Sequence, residues 1–487
     1  MEESRGSREL FIWQSKSRLD KVLIEVDTVK SMKRVDFERG KTFNNILATA
    51  IPMLVAQIIN LLYNIVDRIY IARIPEIGTV ALGAVGLCFP LVILITAFTN
   101  MYGSGGAPLF SIARGQKNEQ RAREIQNTSF FLLLVTAVVL MIVGEVFGRP
   151  ILSTFGTSEA AMVYALPYLR IYLLGTIFSM IATGLNPFIT AQGYSIVGMT
   201  TILVGALANI ILDPIFIFVF GLGPEGAAIA TVISQALSAF YVLRFFFGKK
   251  CAYNLKIMSF DEIKKCGRTA GSIAGLGSAA FIMQFTNAMV SVSCNSVLAD
   301  VGGDLYVSIM TMVNSARQMM ETPILAISEG TSPIISYNYG AKRYDRIKRS
   351  IAIMVAMDFG YTLIVWLFIR LFPAAVIGVF SNDKTILADA IPAFNLYFST
   401  FIFMTFQHSG QVVFKSLGKK NHAIFFSLFR KAFIVVPLTY LLPYMFNMGT
   451  KGVFAAEPIS NVIGGSACFI TMLFTVRSII RVGKADD

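Results

Sequence analysis

Charged residues are scarce in this chain. Of its 487 residues only 15% are Asp, Glu, Lys or Arg, whereas 55% are apolar; a soluble domain typically carries about 25% charged residues. A soluble protein of this length would form about three domains, and each of them would need a charged surface. The shortage excludes a soluble enzyme and predicts that most of the apolar side chains face lipid.

Residues that bind metals or form disulfides are also few. The chain has two histidines, and its five cysteines form no CxxC pair, which excludes a disulfide framework and a zinc site. Neither a G-x-x-x-x-G-K-[ST] phosphate loop nor an H-E-x-x-H motif occurs. We therefore expect no enzymatic activity and no resident cofactor.

Long apolar runs dominate the sequence from Phe43 onward. Each run has the roughly 20 residues needed to cross a ~30 Å hydrocarbon core. They predict an all-α integral membrane protein with twelve transmembrane helices in two pseudo-symmetric six-helix bundles. The expected spans are residues 44–73, 79–113, 125–147, 160–185, 196–220, 227–248, 270–298, 305–338, 348–372, 387–412, 422–446 and 453–480.

The basic residues indicate how the chain is oriented. Most of the 42 Lys and Arg residues fall in the N-terminal extension, in alternate loops and at the C-terminal end; such an excess marks the cytoplasmic side. Both termini are thus predicted to be cytoplasmic, and the net charge of +13 is a topology signal rather than a sign of nucleic-acid binding. A surface helix is expected near Leu19–Val29.

The same signals divide the chain into five parts. We expect a basic cytosolic extension (1–42), an N-terminal six-helix lobe (43–248), a cytoplasmic linker (249–269), a C-terminal six-helix lobe (270–480) and a cytosolic tail (481–487).

An internal repeat relates the two lobes. At an offset of 225, six residues of the first half recur in the second, and after one inserted residue four more follow. Paired six-helix bundles of this kind are typical of transporters. The matched pairs are Pro108 and Pro333, Ser111 and Ser336, Gly115 and Gly340, Lys117 and Lys342, Arg121 and Arg346, Gly193 and Gly418, then Gly223 and Gly449, Gly226 and Gly452, Ala230 and Ala456, Ser234 and Ser460.

Two acids inside the first lobe are the leading functional candidates, because charges within a spanning helix are costly and are usually functional. Asp67 and Asp213 lie at similar depth, by the ~1.5 Å rise per helical residue. Asn209 is one turn before Asp213 on the same helix face, and Thr231 reaches about the same level. We expect these four side chains to converge in one polar pocket. The structural alternative is that Asp67 reaches the interface and Asp213 serves helix packing.

Pro214 supports the functional interpretation. Because proline has no N–H, the carbonyl near Ile210 loses its intrahelical donor and the helix tends to kink; such a break is tolerated at membrane depth when it lines a cavity. The positions of the second lobe equivalent to Asp67 fall near Ser293 and Cys294, and those equivalent to Asp213 fall near Leu438 and Thr439, so neither acid is duplicated.

Several motifs resemble the multidrug and toxic compound extrusion (MATE) family, and their details resemble its MepA-like, DinF-type branch. The similarity runs from about residue 43 to 480. The motifs are Asn64-Ile-Val-Asp67-Arg-Ile-Tyr-Ile-Ala, Ala81-Leu-Gly-Ala-Val-Gly-Leu with Phe89-Pro90, Ala208-Asn-Ile-Ile-Leu-Asp213-Pro, Gly223-Pro-Glu-Gly226-Ala-Ala and Gly330-Thr-Ser-Pro-Ile-Ile-Ser-Tyr-Asn-Tyr-Gly340-Ala.

The resemblance implies a secondary active antiporter that exports organic compounds, mainly cations, in exchange for H⁺ or Na⁺ by alternating access. It also implies that the cation or proton site comprises Asp67, Asn209, Asp213, Ala227 and Thr231. The expected setting is a bacterial cell membrane, and the expected state is a monomer.

Further polar residues are predicted to line a substrate cavity; for Gln57, Asn60, Gln284 and Asn287, which occupy equivalent places in the two halves, the alternative is that they bond helices together. Glu329 stands where similar sequences have glutamine; its carboxylate would either favour cationic substrates or meet solvent. Arg317 and Glu321, spaced i, i+4, are predicted to pair, and Glu457 is predicted to be solvated near a helix end. The cavity candidates are Gln57, Asn60, Asn64, Gln284, Asn287, Glu329 and Asp358.

A lipid-linked oligosaccharide flippase of the wider superfamily is the alternative function. It would share the two-lobe plan but would need a strongly basic cavity for pyrophosphate. The spans instead contain an excess of acids over bases, which favours the antiporter.

Overall fold

The computed structural model describes residues 34–248, 251–380 and 384–485. The surface helix predicted near Leu19–Val29 lies outside these residues. Within them the chain is helical and has no strand. The α-helices are α1 (Thr42–Ala72), α2 (Gly78–Gly115), α3 (Glu119–Thr154), α4 (Glu159–Leu174), α5 (Thr176–Gly184), α6 (Asn186–Ala191), α7 (Ser195–Pro214), α8 (Gly223–Phe247), α9 (Phe260–Lys265), α10 (Gly267–Gly340), α11 (Tyr344–Leu371), α12 (Pro373–Gly378), α13 (Lys384–Tyr397), α14 (Met404–Ser416), α15 (Lys420–Leu428), α16 (Val436–Tyr444), α17 (Thr450–Ser460) and α18 (Ser466–Ala485).

The predicted number of membrane spans is confirmed in the described residues. Nine helical segments are long and apolar enough to cross a bilayer, and two bent pairs, α4 with α5–α6 and α13 with α14, each add a span. The 74-residue α10 is broken at Gly303, where φ is 70° and ψ is −170°, so it supplies two spans. The total is twelve, and every span is helical because backbone groups in lipid must be bonded within their own segment.

Three stretches of wider π-helix interrupt the spans. Ile215–Val219 follows α7, Phe429–Val435 joins α15 to α16, and Asn461–Gly465 joins α17 to α18. Such turns are rare and frequently occur at functional sites. Two of them lie in the C-terminal half of the chain.

The internal repeat is visible in the backbone. Lys117 and Lys342, which are repeat partners, both have left-handed backbone, with φ of 57° and 56°. Gly223 and Gly449 form a second such pair, with φ of 56° and 54°. Non-glycine residues adopt positive φ rarely, so the shared values confirm that the two halves repeat the same turns.

The chain forms two compact units. The first contains Val55–Gly103 and Arg123–Ala270; the second contains Asp36–Leu54, Ser104–Ala122 and the described residues from Gly271 onward. In the second unit, one apolar core surrounds Phe394 and Phe454, and another surrounds Phe414 and Cys468. All five cysteines are free and buried, as expected for packing residues.

A close backbone contact joins the last turns of α2 and α10 inside the second unit. A Cβ atom on Gly115 would lie 2.0 Å from the carbonyl oxygen of Tyr337, and a Cβ on Gly340 would lie 2.0 Å from that of Ile112. Only glycine allows helices to approach so closely.

The segment before α1 contacts the same end of α10. Asn338 donates to the carbonyl oxygen of Phe37 at 3.1 Å, and Arg343 forms a 2.6 Å ion pair with Glu38. These bonds hold the entry of α1 against the end of α10 within the second unit.

Candidate cation site

The site in the first unit begins with a deformed helix. Helix α7 carries Asn209 and Asp213 one turn apart and then continues into the π-helical stretch, where the N–H of Phe220 donates to the carbonyl of Ile215 at 2.9 Å. The deformation starts immediately after Pro214, where the missing N–H predicts a break.

A glycine brings α8 against this segment. A Cβ on Gly226 would lie 2.7 Å from the backbone carbonyl of Phe216, so the first turn of α8 packs directly on the π-helical stretch. This approach aligns Thr231, five residues later, with Asn209 of α7. The side-chain N–H of Asn209 donates to the Thr231 hydroxyl oxygen at 3.3 Å and to Asp213 Oδ1 at 3.0 Å.

Helix α1 adds the second acid. The carboxyl groups of Asp67 and Asp213 lie near each other, although they come from segments almost 150 residues apart in the chain. Asp213 is 0% exposed and Asn209 2%. The structure therefore brings together the four side chains expected to converge.

Three buried oxygen atoms of these residues have no partner. Asp67 Oδ1, Asp213 Oδ2 and Asn209 Oδ1 are buried and accept no hydrogen bond in the described residues. Neither acid forms an ion pair with a described Lys or Arg. Buried oxygens normally have partners, so this cluster suits a proton or a hard monovalent cation bound by oxygen ligands.

Ala227 is fully buried one turn before Thr231 on α8. It contributes no polar side-chain atom, so any part it takes in the site is limited to its small size and its backbone. The described residues contain no cluster of three or more His, Cys, Asp or Glu suited to a metal.

Aromatic hydroxyls near the acids were missed in the sequence. Tyr168 and Tyr172 are buried, and their rings stack with centroids 6.3 Å apart. Tyr172 lies close to the side chain of Gln235, and Tyr63 lies one turn from Asp67 on α1. The signal was available: Tyr168 and Tyr172 are spaced i, i+4 within an apolar span, which places them on one face.

The predicted cavity residues fall into both units. In the first, Gln57 is half-buried, whereas Asn60 and Asn64 are exposed. In the second, Gln284 is half-buried and Asn287 is exposed.

The two acids proposed for the cavity have different surroundings within the second unit. Glu329 forms an ion pair with Lys415, so its negative charge is neutralised inside the protein. Asp358 is 0% exposed; its Oδ2 accepts bonds from Ser328 at 2.7 Å and Ser409 at 3.3 Å. Asp358 thus makes its polar contacts with neighbouring helices.

Two other expectations for the second unit have clear outcomes. The predicted pair of Arg317 and Glu321 is confirmed, with Nε and Oε1 2.7 Å apart. The prediction of a solvated Glu457 was wrong. Glu457 is only 3% exposed, because helix packing surrounds its carboxylate with three cationic side chains.

Twelve apolar spans, an internal repeat and a buried acid pair define a multi-pass membrane transporter with a polar site inside its first unit. A family model, MatE, matches residues 52–215 and 279–441, one segment in each half. The chain therefore belongs to the MATE family of transporters, and the family resemblance noted in the sequence is confirmed.

Relatives and solved structures agree with that assignment. The chain is 24% identical over 455 residues to "Multidrug export protein MepA" of Staphylococcus haemolyticus (strain JCSC1435), covering 92% of this chain and 97% of the relative. It is 23% identical to the protein of that name from Staphylococcus aureus (strain N315), covering 85% and 90%.

Among solved structures, the fold matches one described as the outward-facing conformation of a multidrug resistance MATE family transporter of the MOP superfamily. The TM-score is 0.85 at 23% identity, covering 92% of this chain and 99% of the other. A MATE structure in complex with MaD3S gives a TM-score of 0.84 at 23% identity, with 93% and 100% covered.

Proposed function

We propose that this protein is a multidrug efflux antiporter that exports organic compounds in exchange for H⁺ or Na⁺. The observation that carries the proposal is the convergence of Asp67, Asp213 and Asn209, whose buried oxygens lack partners. The names of the staphylococcal relatives support drug export as the role. The proposed setting is a bacterial cell membrane, with both termini cytoplasmic and the monomer as the working unit.

Coupling follows from differential affinity between conformations. Entry of a cation or a proton at the acid pair neutralises charge where α1, α7 and α8 meet, which favours one arrangement of α1. If that arrangement binds the organic substrate more weakly, ion entry drives substrate release. Organic cations are the preferred class, because the exposed amides of the predicted cavity offer oxygen acceptors to a positively charged compound.

The flippase alternative has weaker support. Pyrophosphate would require accessible basic side chains, whereas Arg430 and Lys431, two of the bases found within the spans, are buried and bound to Glu457. No observation favours this function over the antiporter.

The decisive experiment is efflux from proteoliposomes under separately imposed Na⁺ and pH gradients, with a fluorescent organic cation as substrate. Asp213→Asn keeps the shape of the side chain and removes its charge, so gradient-driven efflux should be lost. Glu225→Gln, at an exposed acid in the first turn of α8, is the matched control and should keep it. Undiminished efflux by Asp213→Asn would refute the site, and a wild-type response to neither gradient would refute antiport.

A further inference from the structure

The second unit contains a counterpart of the cation site with different chemistry. In the register set by Gly226 and Gly452, the repeat partner of Thr231 is Glu457. Cys294 and Thr439, which stand near the positions of the two acids, approach each other with Sγ and Oγ1 3.8 Å apart. The repeat thus brings equivalent helices together in the second unit, but the carboxylate there stands at the position of Thr231 and not at the positions of Asp67 and Asp213.

Glu457 is bound by three cationic side chains. Its Oε1 lies 2.8 Å from Arg430 Nη1, 2.9 Å from Lys431 Nζ and 3.3 Å from Arg317 Nη1. Arg317 also pairs with Glu321. We call these five residues, Arg317, Glu321, Arg430, Lys431 and Glu457, the C-lobe charge cluster.

Two π-helical stretches build the cluster. Arg430 and Lys431 lie in Phe429–Val435, and Asn461, which accepts a 2.7 Å bond from Arg430, opens Asn461–Gly465. Gly464 lets the aliphatic part of Arg430 pack closely, since a Cβ there would lie 2.8 Å from its Cγ. Successive residues of a regular α-helix point about 100° apart, and the wider turn lets Arg430 and Lys431 both reach one carboxylate.

With Lys431 protonated, the cluster has one positive charge more than it has negative charges. Three bases face two carboxylates, and both arginines remain charged in any protein environment. Glu457, Lys431 and Arg430 have side-chain exposures of only 4%, 3% and 7%. An unbalanced charge inside a membrane protein is costly and calls for a partner.

Hydrogen-bond donors of the cluster also remain unused. In the described residues Arg430 donates through Nη1 alone, although a guanidinium has five N–H donors. Arg317 uses Nε and Nη1, which leaves its Nη2 edge free, and its side chain is 14% exposed. A ligand would bond to the unused donors, and it would reach them from the side of Arg317, the more exposed of the two arginines.

We propose that the C-lobe charge cluster is a binding site for a monovalent anionic group, which the free guanidinium edges of Arg317 and Arg430 recognise. The ligand is either a small inorganic anion or the carboxylate of an organic compound, because both supply one negative charge and acceptor atoms for N–H donors. His408, Tyr397, Cys294 and Cys468 are further titratable groups close to the cluster. The proposal does not depend on ion coupling at Asp213.

The test uses full-length protein purified in detergent, with radioactive chloride as the probe and gluconate replacing chloride at constant Na⁺. Wild-type protein should bind one chloride per chain and unfold at a higher temperature in chloride. Acetate should displace the chloride if the site also accepts carboxylates, and failure to displace it identifies an inorganic anion as the ligand. Asp213→Asn should bind chloride normally, which separates this site from the cation site.

Lys431→Met leaves two bases and two acids in the cluster, so the variant should fold. Its affinity for chloride should be at least about tenfold lower than that of wild type, which is the loss expected when one charged hydrogen-bond partner is removed. Lys256→Met, at an exposed lysine of the linker, is the matched control. Arg317→Gln gives a second variant at the exposed edge should Lys431→Met misfold. The proposal would be overturned if wild-type protein bound no chloride, or if both cluster variants bound chloride as tightly as wild type. Either result would indicate that Lys431 is deprotonated instead.

Discussion

The contact between Gly115 and Gly340 gives the sharpest structural prediction. Ordinary contacts of a Cβ atom begin at about 3.4 Å, whereas a Cβ on Gly340 would lie 2.0 Å from the carbonyl oxygen of Ile112. Gly340→Ala therefore forces the last turns of α2 and α10 apart by roughly 1.4 Å, because a backbone carbonyl cannot rotate away. Overpacking of this kind costs about 1–3 kcal/mol.

A cost near 2 kcal/mol multiplies the population of the separated arrangement by a factor of about 30. Ser111 reports on that population, since it lies one turn before Gly115 on α2 and is 0% exposed. A Ser111→Cys reporter should react slowly with a maleimide in the parent chain and about 30-fold faster with Gly340→Ala. The five native cysteines are buried and give a low background.

Gly86→Ala is the matched control, because no atom lies within 4 Å of the Cβ it would add on α2. Labelling of the reporter should then stay at the parent rate. Gly115→Ala disrupts the same contact from the other helix. Adding it to Gly340→Ala should therefore raise the labelling rate by a smaller factor than either substitution does alone. Equal labelling rates for Gly340→Ala and Gly86→Ala would refute the reasoning.

Three further predictions concern other parts of the molecule. Thr231→Val removes the hydroxyl bonded to Asn209 and should weaken cation binding about tenfold, measured as the ion concentration for half-maximal efflux; unchanged ion dependence would exclude the hydroxyl as a ligand. Glu457→Gln leaves three bases with one acid and should destabilise the protein by about 3–5 kcal/mol in a reversible unfolding titration. Adding Lys431→Met should restore part of that loss, and no recovery would mean that charge balance is not the cause. In the linker, the pKa of Glu262 is lowered by the backbone N–H of Ser259 and then by Lys256. Because the carboxyl pKa is lower in the folded state, the ionised Glu262 stabilises α9 at pH values above the unfolded-state pKa of about 4.5. This stabilisation is lost as the pH falls through the folded-state pKa. The protection of the α9 amides, measured as the intrinsic exchange rate at each pH divided by the observed rate, should therefore fall as the pH falls below 4.5, and Glu262→Gln should abolish that dependence.

The sequence was sufficient for the parts of the fold that follow from solubility and symmetry. Apolar runs of spanning length can satisfy their backbone in lipid only as helices, so twelve spans were predictable before any contact was known. The repeat likewise required equivalent turns, and Lys117 and Lys342 have nearly the same φ. Asp67 and Asp213 were also predictable as a pair, because depth along a helix depends only on residue count and rise.

Contacts between distant helices were decided by packing alone. The sequence offered no reason to group Glu457 with Arg317, Arg430 and Lys431, because helix rotation and the π-helical stretches determine which faces meet. The same holds for Glu329, whose partner Lys415 lies 86 residues away. Hydropathy and periodicity are one-dimensional and fix which residues enter the membrane and how deep; which charges neutralise each other there depends on side-chain geometry in three dimensions.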